Sequence, residues 1–352
     1  MAGNTMRRIN LALQGGGAHG AFTWGALDRI LQDDTIEITA ISGTSAGALN
    51  GAALKAGLAQ AEGAEGRAAA RENLDWLWSQ VAEVNDIRMD RWVTAMFPYP
   101  EIFTRWMDMF NPVAWMGQAA RMFSPYDSGP FYINPLERVV KRFAFDKIGC
   151  SAGPALFVSA TNVRSGKIRV FSGQEVTAQA ILASACLPNV FRAVEIDDPE
   201  TGVTEAYWDG GYTGNPALFP LFEPDFPGDL VIVNINPLKR DTVPRTPDQI
   251  EERINEISFN SSLLRELRAI DFVRRLIREE RLPAGMMKNV LIHMIADDEI
   301  MLSLGGSSKI SPVSGTLVRL KNAGYQAADR FLDRHGDKIG KEASVDLAAL
   351  FS

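Results

Sequence analysis

The stretch Ile36-Glu37-Ile38-Thr39-Ala40-Ile41-Ser42-Gly43-Thr44-Ser45-Ala46-Gly47 decides the fold class. Ile36–Ile41 is a short apolar run that predicts a strand, and the small residues of Ala46–Ala59 predict a helix. Between them Gly43 and Gly47 flank Ser45, so the chain can turn sharply and carry one hydroxyl at its tip. The same pattern occurs just upstream. Arg8–Gln14 reads as a strand, Gly15-Gly16-Gly17-Ala18-His19-Gly20 as its turn, and Ala18–Leu31 as a helix with Phe22, Ala26, Leu27 and Ile30 on one face. Strand followed by helix, twice in succession, predicts a parallel sheet covered by helices.

Downstream, Leu156–Asn162 and Lys167–Phe171 read as strands and Val176–Ala183 as a helix. Leu230–Ile235 and Val290–Ile295 read as further buried strands, and Gly315–Arg334 as a last helix. Two segments stand apart. Residues 73–126 hold five of the seven tryptophans and six of the twelve methionines, with Pro98, Pro100, Pro112 and Pro125 breaking the segment into short helices. Such an adaptable apolar surface suits acyl chains, which makes the segment a candidate lid, with plain helical packing as the alternative. Residues 246–281 form a charged amphipathic helical segment, with Ile254, Ile257, Leu264, Leu267, Ile270, Phe272 and Leu276 as its apolar positions. No repeat or low-complexity linker interrupts the chain, so residues 7–340 are expected to form a single domain.

The chain has 352 residues, 46% hydrophobic and 22% charged, ordinary values for a globular protein. Its formal net charge of -7 and the lack of a basic stripe argue against a nucleic-acid partner. Cys150 and Cys186 are its only cysteines and lack metal-ligand spacing, so neither a disulfide scaffold nor a metal site is expected. The apolar run Leu11–Leu13 is too short for a signal peptide or a membrane span, which predicts a cytoplasmic protein able to touch membrane surfaces. Oligomeric state is not encoded in any readable feature.

Serine attacks an ester only if a base takes its proton and the developing oxyanion is stabilised. A GxSxG turn exposes Ser45 at the N-terminus of a helix whose dipole favours negative charge. The amides of Gly15, Gly16 and Gly17, free of side chains, can approach a substrate oxygen and form an oxyanion hole. The glycine loop lacks the Lys-Ser/Thr ending of a P-loop, and no ribose-binding acid follows about 20 residues on. Three histidines could supply the base. The order Ser45…Asp209…His293 fits an α/β-hydrolase triad, but His293 lies in an apolar strand and reads as a core histidine. His335 reads as solvated and His19 as a loop anchor. Asp209, between Trp208 and Gly210-Gly211, is the better candidate, because a turn beside aromatic surface can desolvate a carboxylate and raise its basicity.

Taken together, these motifs resemble the patatin-like phospholipases, lipid acyl hydrolases that use a Ser-Asp dyad. The resemblance spans roughly Leu11 to Phe222 and rests on Gly15–Gly20, Gly43–Gly47 and Asp209–Gly211 in that order. Ala183-Ser184-Ala185-Cys186-Leu187-Pro188 with Phe191 adds to it. It implies a three-layer α/β/α sandwich with a mostly parallel central sheet. By the match, Ser45 is the nucleophile, Asp209 the base, and Gly15, Gly16 and Gly17 the oxyanion loop, with Gly20, Gly43, Gly47, Gly210 and Gly211 in support. A lipid or ester substrate is implied, with room for peripheral contact with a membrane or lipid particle, and no cofactor or metal. A storage-polyester depolymerase or general carboxylesterase would use the same chemistry. A catalytically silent lipid- or protein-binding module is the alternative of another class. His19 stands where many members carry arginine.

Overall fold

The computed structural model describes residues 6–86, 124–127, 132, 134–283, 285–304, 309 and 314–351. Among these residues an eight-stranded mixed sheet forms the middle layer. The chain opens with β1 (Arg7–Leu13), α1 (Gly20–Ile30), β2 (Ile36–Gly43), α2 (Ala46–Leu58) and α3 (Gly63–Asp86). It continues through β3 (Ala155–Asn162), β4 (Ile168–Ser172), α4 (Ala178–Ser184), β5 (Val194–Asp198) and β6 (Val203–Asp209). The last third contains β7 (Asp229–Val233), α5 (Pro247–Arg278), β8 (Leu291–Ile295) and α6 (Ser314–His335). The sheet order is β5-β6-β3-β2-β1-β7-β8, with β4 beside β3. The five strands from β3 to β8 pair in parallel, while β4, β5 and β6 are antiparallel additions.

Alternation along the central strands feeds two cores. Leu11, Leu13, Val231 and Val233 pack under α1, α2, α3, α4 and α6. Ala12, Leu230 and Ile232 face the other way, onto Leu263, Leu267 and Ile270 of α5 and onto Leu218 and Leu221. The result is the expected three-layer α/β/α sandwich. α5 begins with a capping box, Thr246 and Gln249 each accepting from the other's backbone N–H. Its sheet-facing residues are Leu263, Leu267 and Ile270. Ile254, Ile257 and Phe272, read from sequence as part of its apolar set, are exposed.

One topological detail positions the site. β4 covers one edge of β3 over Phe157–Thr161. The other edge is shared by two strands. β2 pairs in parallel with residues 155–158, and β6 pairs antiparallel with residues 160–162. The two strands therefore run head-on along one edge, β2 ending at Gly43 opposite Val158 and β6 at Asp209 opposite Ala160. Their ends meet across Ser159.

Candidate active site

Ser45 leaves the end of β2 in a backbone conformation that non-glycine residues rarely adopt, with φ 54° and ψ −121°. Strain of this kind persists only where the surroundings enforce it. Here Gly47 N–H donates to Thr44 O at 2.8 Å, and Ser45 N–H donates to Ser184 Oγ at 2.9 Å. The turn is also compact. A Cβ on Gly47 would lie 2.0 Å from Leu13 O, one on Gly43 2.6 Å from Gly47 O, and one on Gly20 2.6 Å from Ala46 Cβ. The three supporting glycines are thus the contacts that seat the elbow against β1 and α1.

Asp209 closes β6 and is fully buried. Its N–H donates to Cys186 O at 2.8 Å, its carbonyl accepts from Thr161 Oγ1 at 2.8 Å, and its Oδ1 accepts from Gly211 N–H at 2.7 Å. Ser184 and Cys186, in the small-residue segment noted in the sequence, thus hold Ser45 and Asp209 from one short stretch. The Asp209 Oδ2 has no hydrogen bond of regular geometry. Burial pushes this carboxyl up to about 7, with the Gly211 N–H and the neighbouring Ser45 hydroxyl pulling the other way. Ser45 therefore lies close enough to the Asp209 carboxylate to influence it, without a hydrogen bond of regular geometry.

The glycine loop divides its labour. Gly15 N–H donates to Asn215 Oδ1 at 2.7 Å, and Gly15 O accepts from Asn236 Nδ2 at 2.8 Å. Its amide is thus already engaged. A Cβ there would lie 2.7 Å from Ser45 Cβ, so the loop rests directly on the elbow. Among the described residues no hydrogen bond engages the N–H of Gly16 or of Gly17. Gly17 has φ +59°, and a Cβ on it would lie 2.2 Å from Lys309 O.

The supporting residues are ones that sequence reasoning missed. Gln14, Asn215, Asn236 and Asn260 form a buried amide cluster around the loop. Gln14 Oε1 accepts from the N–H of Ile235 and of Asn236, and Gln14 Nε2 donates to Asn260 Oδ1 at 3.2 Å. Thr44 Oγ1 donates to Gly214 O at 2.7 Å, stitching the segment after Asp209 to the elbow. A polar glutamine ending an apolar strand was the one available signal. Lys309 adds a half-buried cation, its Nζ 3.2 Å from Asn236 Oδ1 and 3.8 Å from Glu256 Oε1.

The histidines sort as follows. His293 is fully buried, its ring nitrogens bonded to Asp229 Oδ1 at 3.0 Å and Ser344 Oγ at 3.1 Å, which is a core role. His19 is buried in the glycine loop, and burial, then the Lys309 charge, holds it down at about 3, so it stays neutral. His335 is half-buried against Phe331 rather than solvated as its charged neighbours suggested. Of the candidate lid over 73–126, residues 73–86 are the second half of α3. There Trp78 is a core residue, stacked on Trp24 and donating to Asn50 Oδ1 at 2.9 Å. Residues 87–123 lie outside the described residues. No cluster of His, Cys, Asp or Glu able to hold a metal ion is found among the described residues.

The sequence model of the patatin-like phospholipase family matches residues 11–222. The chain belongs to this family. Both glycine motifs, Ser45 and Asp209 fall inside the matched region, and membership puts the protein among lipid acyl hydrolases. Comparison with curated protein sequences gives no match. Among solved structures, VipD from Legionella pneumophila is similar at 14% identity over 94% of this chain and 67% of that one, with TM-score 0.37. The ExoU–SpcU complex of the type III secretion system of Pseudomonas aeruginosa is similar at 18% identity and TM-score 0.31. There 96% of this patatin-like chain is covered but only 62% of the other. No helix among the described residues is long and apolar enough to cross a membrane.

Proposed function

We propose that this patatin-like chain hydrolyses lipid carboxylic esters through a Ser45–Asp209 dyad, residues 7–340 acting as one catalytic unit. The observation that carries the reading is the head-on meeting of β2 and β6, which sets a strained serine beside a fully buried carboxylate. Asp209 takes the Ser45 proton as Oγ attacks the ester carbonyl carbon. Gly16 and Gly17 N–H groups hold the oxyanion. Collapse expels the alcohol, which leaves with the proton from Asp209. A water then gives its proton to Asp209 and attacks the acyl-serine. The carboxylic acid departs and Ser45 regains its hydrogen.

A base must be ionised to accept a proton. Burial sets the Asp209 carboxyl near 7, so kcat/KM is expected to be low below that pH and to rise to a plateau above it. A profile on a soluble ester checks this, and a plateau already reached at pH 5 would remove Asp209 from the role. A histidine triad finds no support, since His293 is committed to Asp229 and Ser344.

The test is covalent labelling by a fluorophosphonate, located by mass spectrometry. Ser45 is expected to carry the label in the wild type and in His293→Ala. Loss of labelling in a folded His293→Ala would favour the triad. An unlabelled wild type would favour a silent binding module. A screen of phospholipid, neutral ester and polyester substrates then separates phospholipase from carboxylesterase or depolymerase.

A further inference from the structure

Lys309 holds the glycine loop at two places. Its carbonyl closes over Gly17, where a Cβ would lie 2.2 Å from the oxygen. Its Nζ donates to Asn236 Oδ1 at 3.2 Å, and Asn236 Nδ2 in turn donates to Gly15 O at 2.8 Å. Asn215 Nδ2 adds a second donor to the same carbonyl at 3.3 Å. Gly15 O belongs to the peptide whose N–H is that of Gly16. A chain of hydrogen bonds therefore runs from an ammonium, through one side-chain amide, to a peptide whose N–H no described group engages.

The ammonium is not consumed elsewhere. The buried Glu256 carboxylate takes the Arg240 guanidinium at 2.6 and 2.9 Å and Arg253 at 3.2 Å, with Lys309 farther off at 3.8 Å. Arg240 also pairs with Glu252 at 2.8 Å. Among the described residues three cations thus face two carboxylates, which leaves one positive charge in excess. His19, the basic residue of the loop itself, is neutral.

We propose, resting on the esterase reading in which Gly16 helps to hold the oxyanion, that Lys309 is a positioning residue that fixes and polarises the Gly15–Gly16 peptide through Asn236. Hydrogen bonds in a chain polarise one another, and a charged donor at the head strengthens them. Electron density drawn onto Gly15 O makes the Gly16 N–H a stronger donor. The gain is largest where negative charge develops, so it favours the transition state over the bound ester. The charge that does this can be titrated. The groups facing it are Glu252, Arg253 and Glu256 of α5, Arg240 of the segment after β7, and neutral His19. Burial holds Lys309 below the ordinary lysine value, with Glu256 and Glu252 pulling it up and Arg240 pushing it further down.

The experiment compares the full wild-type chain, Lys309→Met and Lys309→Arg on p-nitrophenyl butyrate. Lys309→Met is expected to lower kcat about tenfold with KM within about twofold, and Lys309→Arg to keep most of the rate. At pH above the plateau set by Asp209, wild-type kcat should fall to the Lys309→Met level as the ammonium loses its proton. Lys309→Arg, whose guanidinium stays charged, should not follow it. Glycine-selective ¹⁵N NMR on the Ser45→Ala background, with Gly16 assigned through Gly16→Ala, reads the peptide without turnover. The Gly16 amide proton should move to lower frequency in Lys309→Met and not in Lys309→Arg, with Gly43 unmoved. Unchanged kcat in a folded Lys309→Met, Lys309→Arg no better than Lys309→Met, or a Gly16 resonance indifferent to residue 309 overturns the proposal. A wild type that turns over no ester overturns the esterase reading instead, and the Gly16 resonance then decides the Lys309 chain by itself.

Discussion

Asp209→Asn is expected to lose about 10⁴-fold in kcat/KM and yet to unfold at a higher temperature than the wild type at alkaline pH. Removal of a general base typically costs ~10²–10⁴ in rate, and the upper end applies here because no described histidine stands ready to substitute. Asparagine keeps an oxygen to accept from Gly211 N–H and puts an NH₂ where Oδ2 lacked a regular partner. The stability sign follows from burial. The carboxyl is raised from an ordinary 3.8 to about 7 in the fold, so the folded chain holds its proton more tightly than the unfolded one. That stabilisation is fully present below the unfolded value and is lost as pH climbs through the folded value. Above pH 7 the wild type therefore carries a buried charge costing on the order of a few kcal/mol, which the neutral amide avoids. Unfolding midpoints of the two proteins should diverge as pH rises from 4 to 8.5. Activity within tenfold of wild type would mean another base, and a destabilised variant at pH 8.5 would make Asp209 a structural prop.

This pairing was only half legible in the sequence. Each strand–turn–helix unit announces itself locally, because apolar spacing and glycines fall within a few residues of one another. β1, β2 and both glycine motifs could therefore be read directly. Val194–Asp198 and Val203–Asp209 could not be recognised as strands. Their alternation is acidic and half-exposed, a composition that strands disfavour except on a sheet's flank. Yet this hairpin is what carries Asp209 back to meet β2. The same distance in sequence hid Asn215, 200 residues from the Gly15 amide that it accepts from. Exposure misled the reading of α5 as well. Ile254 and Ile257 share its helical periodicity, but the sheet reaches only the later turns, so both stay in solvent.

Gly15→Ala should lower kcat by about 10³-fold, whereas Gly16→Ala should stay within about tenfold of wild type. The two glycines are neighbours, and the difference lies in what a methyl group would strike. On Gly15 it would lie 2.7 Å from Ser45 Cβ, 2.8 Å from Thr44 O and 3.2 Å from Asn215 Oδ1. These atoms belong to the strained elbow and its buried support, so neither side can yield without moving the nucleophile or the amides that would hold the oxyanion. On Gly16 the methyl would meet the Ile235 side chain, Cδ1 at 2.9 Å and Cγ1 at 3.3 Å, which a small rotation relieves. The rate of fluorophosphonate labelling and kcat on a soluble ester, read with the unfolding midpoint, decide the matter. If a folded Gly15→Ala kept its rate, the contact between glycine loop and elbow would be mere packing. If both variants fell equally, the loop would act as a whole and not through the Gly15 seat on Ser45. The expected split would instead mean that the oxyanion amides are aimed from the nucleophile itself, with Asn215 clamping the peptide that joins them.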